Sequence, residues 1–208
     1  WYLNDVSVSG ATSSSWTFTP SSSGSYTVYV NATDKIGGIA KSNIATVTVN
    51  PPPSVTMSPT LITMDFGQAR LFTSNASEGT PPYSFQWYLN GTPVSGATSS
   101  MWTFMPPSFG SFSVYVVVTD SVGVSDASPV SNVAVNPQLT VTINPSIATI
   151  NSSESLTLTS IVFGGTSPYT YQWYVNGAPV SGATSDNWAF TAFSSDSYTF
   201  YLFVTDSV

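Results

Sequence analysis

Short runs of alternating apolar and polar residues dominate the chain, and they predict strands rather than helices. Within 83–89, for example, Phe85, Trp87 and Leu89 share one side, which is therefore expected to face a core. Turns rich in Gly, Pro, Asn and Ser separate the runs, and this combination predicts a β-sandwich or a barrel. The strands predicted in the middle of the chain are 55–58, 70–76, 83–89, 102–105, 112–119 and 130–135.

The whole pattern recurs with a period of 86 residues, and each repeat carries two tryptophans at fixed positions. Prolines after Asn50 and Asn136 mark boundaries, because proline cannot donate to a sheet ladder. We therefore expect the C-terminal part of a first module (1–50), a complete second module (51–137) and the N-terminal part of a third (138–208). The tryptophans predicted to lie in the module cores are Trp1, Trp16, Trp87, Trp102, Trp173 and Trp188.

Two motifs resemble immunoglobulin-like domains. Phe-Gln-Trp-Tyr-Leu-Asn-Gly at 85–91 resembles their strand C, and Gly-Ser-Phe-Ser-Val at 110–114 resembles their strand F. Ser74 and Val114 stand where the resemblance would place the two bridging cysteines, so the bridge is expected to be replaced by packing. The resemblance implies an all-β chain of tandem immunoglobulin-like β-sandwich modules without disulfides.

Longer phrases point to a cell surface. Tyr-Thr-Tyr-Gln-Trp-Tyr at 169–174 and Gly-Ser-Tyr-Thr-Val-Tyr-Val at 24–30 are similar to the tandem immunoglobulin-like or PKD-like repeats of archaeal cell-surface proteins. This similarity implies an extracellular or cell-surface location.

Charge and composition remove several classes of function. The chain has 3 Lys and Arg against 10 Asp and Glu, a net charge of −7, and three cations cannot neutralise a nucleic-acid backbone. It has no His and no Cys, so it lacks a Ser-His-Asp triad and the usual zinc ligands, and we expect no enzyme, no metal and no cofactor. No apolar run approaches the roughly 18 residues that span a bilayer, so no membrane insertion is expected in this segment.

One aspartate recurs after predicted strand F, as Asp34, Asp120 and Asp206. It could belong to a calcium site at a module junction, or it could form an Asx turn that closes the following hairpin. No second acid recurs at a fixed offset, whereas calcium takes several oxygen ligands, so the turn is favoured.

Four Asn residues fit the N-glycosylation pattern, and hydroxyl residues are so frequent that this number is expected by chance. Glycans are nevertheless a hypothesis worth keeping, because a surface with 6% charged residues is poorly protected against association. The candidate glycosylation sites are Asn31, Asn75, Asn90 and Asn151.

Several aromatic side chains point away from the predicted core on strands C and F, and the pattern recurs in each repeat. Three interpretations remain open: cross-strand pairing, a lateral contact between copies, or a platform on which sugars stack. The interface candidates are Tyr29, Tyr88, Tyr115, Tyr174 and Tyr201.

Tandem sandwiches joined by short Pro-containing links form a semi-rigid rod. The leading hypothesis is a structural segment of an extracellular surface protein that forms a fibre, a filament or a surface-layer stalk. Copies of the chain are its expected partners, through lateral contacts or through donation of a strand to an incomplete sheet. The alternatives are a carbohydrate-binding or adhesin module and a spacer beside an enzyme domain.

Overall fold

The computed structural model describes residues 1–208, which form 21 strands and no helix. Every sheet pairing joins strands of the same unit, so the repeat folds as separate units (1–50, 51–137 and 138–208). The predicted fold class is confirmed: the chain is all-β and consists of tandem immunoglobulin-like sandwich modules, with no cysteine for a disulfide.

Unit 1 contains one four-stranded antiparallel sheet and a small hairpin. Its strands are β1 (Tyr2–Leu3), β2 (Val6–Ser7), β3 (Gly24–Tyr29), β4 (Asn31–Thr33), β5 (Ile39–Lys41) and β6 (Ala45–Val49). The sheet has the order β2-β1-β3-β6, and β4 pairs with β5. Residues 1–50 contribute this one layer, whose inward side chains are mostly half-buried.

Unit 2 is a complete two-layered sandwich. Its strands are β7 (Pro53–Ser58), β8 (Leu61–Asp65), β9 (Arg70–Glu78), β10 (Ser84–Leu89), β11 (Thr92–Pro93), β12 (Met101–Phe104), β13 (Gly110–Thr119), β14 (Ser125–Ala127) and β15 (Ser131–Asn136). One layer has the order β12-β9-β7, and the other has the order β11-β10-β13-β15-β8, with β14 also paired to β13.

The first strand of unit 2 is divided between the two layers, which the sequence pattern does not predict. β7 pairs with β9 in one layer, the chain turns at Pro59, and β8 then pairs in parallel with β15 in the other layer. Alternation along β8 buries Ile62 and Met64 while Leu61 stays exposed. This part of the chain therefore supplies an edge strand to each layer: β7 to one and β8 to the other.

The core of unit 2 is a cluster of 13 buried residues centred on Trp87. This indole is completely buried and lies beside Phe72, with ring centroids 6.0 Å apart. Its Nε1 donates a hydrogen bond of 2.8 Å to the carbonyl of Ser99, which satisfies the one polar atom of the ring. Val114 and Val116 of β13 are also completely buried, as the alternation predicts.

The two tryptophans of each repeat differ in burial. Trp87 and Trp173 are completely buried. The second tryptophan packs at the margin of the core: Trp102, for example, lies 6.0 Å from the Trp87 ring on the outer strand β12. Trp102 and Trp188 are half-buried and pack against the core clusters of their units. Trp1 and Trp16 are half-buried as well.

Unit 3 has two three-stranded layers. Its strands are β16 (Thr140–Asn144), β17 (Ser155–Phe163), β18 (Thr170–Val175), β19 (Ala178–Pro179), β20 (Asn187–Thr191) and β21 (Phe200–Thr205). The layers have the orders β16-β17-β20 and β19-β18-β21. Trp173 repeats the hydrogen bond of Trp87, with Nε1 donating to the carbonyl of Ser185 at 2.9 Å.

Packing and local hydrogen bonds occupy the positions where cysteines would bridge the layers. The Ser74 hydroxyl donates to the carbonyl of Ser100 at 2.9 Å, and Val114 opposite is completely buried. The tyrosine corner is also present: the Tyr26 hydroxyl donates to the carbonyl of Ser22 at 2.8 Å. The sandwich is thus fixed by a buried indole and backbone contacts.

Candidate interaction surfaces and module joints

One pair of tyrosines stacks across the two central strands of each unit, on the side away from the core. In unit 2 the Tyr88 and Tyr115 rings face each other directly across β10 and β13, with centroids 4.8 Å apart and planes 4° from parallel. The Tyr174 and Tyr201 rings of unit 3 are 4.6 Å apart, with planes at 10°. The sequence predicts these positions, and what recurs in each unit is a contact between two tyrosines on neighbouring strands.

Tyr29 must be removed from the exposed interface candidates. Its ring is only 8% exposed, because Tyr2 stacks on it at 4.8 Å and the Lys41 ammonium lies 3.7 Å from its centroid. Burial, together with the nearby Asp5 carboxylate, raises the pKa of the Tyr29 hydroxyl. The residues that cover this ring lie on other strands, so the sequence pattern of its own strand does not predict its burial.

The stacking also bears on the sugar-binding interpretation. A platform for a sugar needs an open aromatic face, whereas each ring in these pairs turns one face to its partner. In unit 3, Phe203 additionally stands edge-on to Tyr174 at 5.4 Å and to Tyr201 at 5.7 Å. The geometry favours pairing over a sugar platform.

The four candidate glycosylation sites have different surroundings. Asn75 is exposed on β9, opposite Thr56. Asn90 and Asn151 are exposed in turns, and the Nδ2 of Asn151 donates to Glu154 at 3.1 Å. Asn31 is half-buried and its Oδ1 is enclosed without a hydrogen-bond partner. Asn75 has the most accessible setting, and glycan occupancy stays a prediction.

The recurring aspartate forms the predicted Asx turn. Asp120 Oδ1 accepts the backbone N–H groups of Val122 at 3.1 Å and Val124 at 2.9 Å. Asp34 Oδ1 accepts those of Ile36 at 3.0 Å and Gly38 at 2.7 Å. These bonds close the turn after strand F in both units.

Adjacent units meet at a joint that is built the same way twice. At the joint of units 1 and 2, Asn50 Nδ2 donates to Thr80 Oγ1 at 2.9 Å, and the Gly79 N–H donates to the Pro51 carbonyl at 3.0 Å. The Thr80 N–H in turn donates to Asp120 Oδ2 at 3.1 Å. The link and two loops of the following unit are thereby tied together.

The second joint repeats these bonds. Asn136 Nδ2 donates to Thr166 Oγ1 at 2.7 Å, the Gly165 N–H donates to the Pro137 carbonyl at 2.8 Å, and the Thr166 N–H donates to Asp206 Oδ2 at 3.4 Å. The sequence analysis missed this joint. Its sequence signal is the recurrence of Asn before the proline link and of Gly-Thr at the loop that receives it.

The second joint also contains a pair of carboxyl groups. Asp65, at the end of β8, is only 6% exposed, and Thr166 Oγ1 donates to its Oδ1 at 2.9 Å. Burial, together with the neighbouring Asp206 carboxyl, raises the pKa of Asp65. Thr166 therefore contacts both carboxyl groups, one through its hydroxyl and the other through its backbone.

A groove of about 570 Å³ runs along unit 3 between residues 148–152 and 194–198, with Leu156 and Phe190 in its lining. No group of three acidic side chains is arranged to hold a metal ion. No helix long and apolar enough to cross a membrane is present.

Two phage proteins are similar to this chain in sequence, while no protein-family model matches it. The chain is 32% identical over 141 residues to the highly immunogenic outer capsid protein of Enterobacteria phage T4, covering 63% of this chain and 36% of that protein. It is 37% identical over 93 residues to the decoration protein of Escherichia phage T5, covering 42% of this chain and 56% of that protein. The chain thus spans only part of the length of both relatives.

Several solved structures match this chain in part. They include the fibronectin(III)-like modules of Clostridium thermocellum CbhA, with 15% identity, a TM-score of 0.41 and coverage of 74% of this chain and 86% of that one. The N-terminal four Ig domains of Dscam1 isoform 8.4 give 17% identity, a TM-score of 0.40 and coverage of 88% and 51%. One relative is named as an outer capsid protein and the other as a decoration protein, which is consistent with the predicted class of structural surface protein.

Proposed function

We propose that this chain is a structural segment of a protein displayed on the outside of a virus particle, where its sandwiches form a row that spans distance. The observation that carries the proposal is the repeated joint. The same Asn–Thr and Gly–Pro hydrogen bonds tie each link to the loops of the following unit. Because the two joints are built in the same way, successive units follow one another at a constant spacing.

The joint connects opposite ends of successive sandwiches. The last strand of one unit ends at Val49 or Asn136, and the first strand of the next begins at Pro53 or Thr140. The receiving loops precede β10 or β18 and follow β13 or β21, at the end where the next unit begins. A unit whose longest strand has 10 residues is about 34 Å long, so three in a row extend to about 100 Å.

Sequence likeness to an outer capsid protein and to a decoration protein supports a location on a particle surface. The archaeal origin, the PKD-like assignment and the fibre, filament or surface-layer form remain predictions. So do association with copies of the chain, occupied sequons, and the alternatives of carbohydrate binding and of a spacer beside an enzyme. The paired tyrosine faces give the carbohydrate alternative little support.

Location is tested by immunogold electron microscopy with an antiserum against this chain, applied to a source culture and to particles purified from it. We expect gold particles on the exterior of intact virus particles. This labelling should be lost when the serum is first incubated with the purified chain. Gold confined to cell envelopes would overturn the virion proposal in favour of the cell-surface prediction. Labelling confined to the cell interior would contradict both.

The mechanical part of the proposal is tested by small-angle X-ray scattering of the purified chain. A compact protein of 208 residues has a radius of gyration of about 17 Å. A row of sandwiches gives a clearly larger value and a maximum dimension near 100 Å. A compact particle would contradict the row.

A further inference from the structure

A stacked pair of tyrosines recurs on the outer face of every unit. In unit 1 the rings of Tyr2 and Tyr29 are 4.8 Å apart with planes at 6°, much like the pairs of units 2 and 3. In all three units the partners lie directly opposite each other on neighbouring antiparallel strands. The 86-residue repeat therefore places two phenol rings face to face at the same point of each module.

The hydroxyl groups of the pairs in units 2 and 3 are not used by the fold. Other tyrosine hydroxyls donate to backbone carbonyls, as Tyr26 does to Ser22 and Tyr169 to Gly164. The hydroxyls of the two pairs make no hydrogen bond within the chain and are not enclosed. They can therefore release a proton to water during a reaction of the ring. The residues of these two pairs are Tyr88, Tyr115, Tyr174 and Tyr201.

Phenol rings held in this way are suited to oxidative coupling. Loss of one electron and the hydroxyl proton gives a phenoxyl radical, whose unpaired electron is shared between the oxygen and the ortho carbons. Two such radicals form a bond between ortho carbons, and each ring regains its aromaticity when the ortho hydrogen leaves as a proton and the oxygen takes one up. The pair loses two hydrogen atoms in total, and one molecule of hydrogen peroxide takes them up to form two of water.

The fold brings the reacting rings together in advance. Radical coupling between side chains is limited by how often two rings meet, and a stacked pair is already in contact. Partners that lie directly opposite on antiparallel strands have Cβ atoms about 5 Å apart. Rotation about the side-chain torsions therefore brings the facing ring edges together without movement of the strands.

We propose that the tyrosine pairs of units 2 and 3 are sites of oxidative cross-linking, at which a peroxide and a one-electron oxidant such as a haem peroxidase join Tyr88 to Tyr115 and Tyr174 to Tyr201. The chain has no cysteine, and each joined pair gives its sandwich a covalent link between two strands that no disulfide provides. Coupling depends on the outer faces alone and not on where the protein is displayed.

Unit 1 is the internal contrast, because its pair is covered. The Lys41 ammonium lies 3.7 Å from the Tyr29 ring centroid, and Tyr29 is only 8% exposed. Removal of an electron leaves positive charge on the ring until the proton departs, and a facing ammonium opposes this charge. Burial and the nearby Asp5 also raise the pKa of Tyr29, so its proton is held more tightly. The matching position of unit 2 is Ala127, which carries no charge.

The test treats the purified chain with hydrogen peroxide and a haem peroxidase, at a protein concentration low enough to disfavour contact between copies. Dityrosine fluorescence follows the reaction, and mass spectrometry of a proteolytic digest identifies joined peptides by the loss of two hydrogens. We expect peptides that join Tyr88 to Tyr115 and others that join Tyr174 to Tyr201. The joining of Tyr2 to Tyr29 should be at least about threefold slower, the effect of one cation over an aromatic ring.

Matched variants separate the pairs from the other tyrosines. Tyr115→Phe keeps the stacked ring but removes the hydroxyl, so it should abolish coupling in unit 2 and leave that of unit 3 unchanged. Lys41→Ala installs in unit 1 the residue found at the matching position of unit 2. It should raise the coupling of Tyr2 with Tyr29 toward the rate of the unit 2 pair.

The proposal is overturned if the unsubstituted chain forms no joined peptides from the two pairs, or if its cross-links mainly connect separate copies. Cross-links that involve tyrosines outside the pairs, such as Tyr26 and Tyr83, as often as the pairs would also overturn it. Coupling in unit 2 that survives Tyr115→Phe would have the same meaning. A rate in unit 1 that Lys41→Ala leaves unchanged would contradict the protection assigned to the ammonium.

Discussion

Units 2 and 3 share a repeat sequence, and within residues 1–208 unit 2 includes strand β15, whereas unit 3 is described up to the residues that precede the matching position. That strand pairs with β13 on one side and with β8 on the other, and it buries Val133 and Val135 to 1% and 4% exposure. The core of unit 2 has 13 buried residues, whereas that of unit 3 has 4. The larger buried core of unit 2 therefore includes the residues that β15 contributes.

Two segments of unit 2 pair with β15: strand β8 and the first five residues of β13. In unit 3, residues 147–151 correspond to β8 but form no strand, although Ile147, Thr149 and Ile150 keep the same type of pattern. Residues 196–199 correspond to the start of β13 and also form no strand. In unit 2 the only partner of β8 is β15, so its alternation becomes a strand only when that partner is present.

The largest predicted effect comes from the buried indoles. Trp87→Ala should cost about 5 kcal/mol of the unfolding free energy of unit 2, because a large cavity opens in a closed core. Trp173→Ala should cost about 3 kcal/mol in unit 3, where the open edge allows collapse. Differential scanning calorimetry of the chain, with one transition assigned to each unit through these variants, measures both.

Thr103→Ala, on the outer face of unit 2, is the control and should leave both transitions in place. Equal losses for the two tryptophans would show that β15 adds nothing to the stability of the core around the indole, and the comparison would fail.

A smaller effect is expected where the loops of the joints pass close to the link. A Cβ at Gly165, whose φ is +68°, would lie 2.7 Å from Asp206 Oδ2 and 2.8 Å from Leu139 Cδ1. A Cβ at Gly79, φ +58°, would lie 3.0 Å from the Pro53 Cβ. Gly165→Ala should therefore cost about 3 kcal/mol and Gly79→Ala about 2 kcal/mol in chemical denaturation.

Gly91→Ala separates backbone strain from crowding, because its φ is +78° and a Cβ there would meet nothing within 4 Å. It should cost about 1 kcal/mol. If Gly91→Ala cost as much as Gly165→Ala, the close approach at the joint would have no energetic weight.

Much of the sandwich could be predicted from sequence because its signals are local. The alternation along 112–119 places Val114 and Val116 in the core. The recurrence of Trp87 every 86 residues identifies the strand that contains it. β8 was not predicted, since a strand that crosses between layers shows the same alternation as an unpaired segment. Its partner, β15, lies about 70 residues away along the chain, so only tertiary pairing reveals it.

The surfaces were less predictable for the same reason. The contact between Tyr88 and Tyr115 could be predicted, because β10 and β13 are neighbouring strands and the alternation along each strand places its tyrosine on the outer side of the sheet. The cover over Tyr29 comes from Lys41 on a separate hairpin, and the hydrogen bond from Thr166 to Asp65 joins two units, so neither follows from a local pattern. Contacts between elements distant in sequence are what the sequence reading missed.

Acid should weaken the turn that follows β13 in unit 2. Burial alone would raise the pKa of Asp120, but hydrogen bonds from the N–H groups of Val124, Thr80 and Val122 lower it below its usual value. Its stabilising contribution is therefore present above the ordinary pKa and is lost as pH falls through the lowered pKa. Asp120→Asn should flatten this acid loss in a pH series of melting temperatures, and an unchanged pH profile would contradict the assignment.

The smallest predicted effect concerns the tyrosine pairs on the outer faces of units 2 and 3, and it sharpens the comparison of these two faces. A double-mutant cycle on Tyr88 and Tyr115 should give a coupling of about 0.5 kcal/mol, the range of an exposed cross-strand pair.

In unit 3, Phe203 stands edge-on to both stacked rings, so Tyr201→Ala also removes an aromatic contact. The cycle on Tyr174 and Tyr201 should therefore give about 1 kcal/mol, measured by urea denaturation. Phe203→Val installs the residue found at the matching position of unit 2, Val117, and should reduce the coupling to the unit 2 value. A coupling that Phe203→Val leaves unchanged would mean that the stacked pair alone sets the energy, and that the two outer faces are equivalent despite their different third residue.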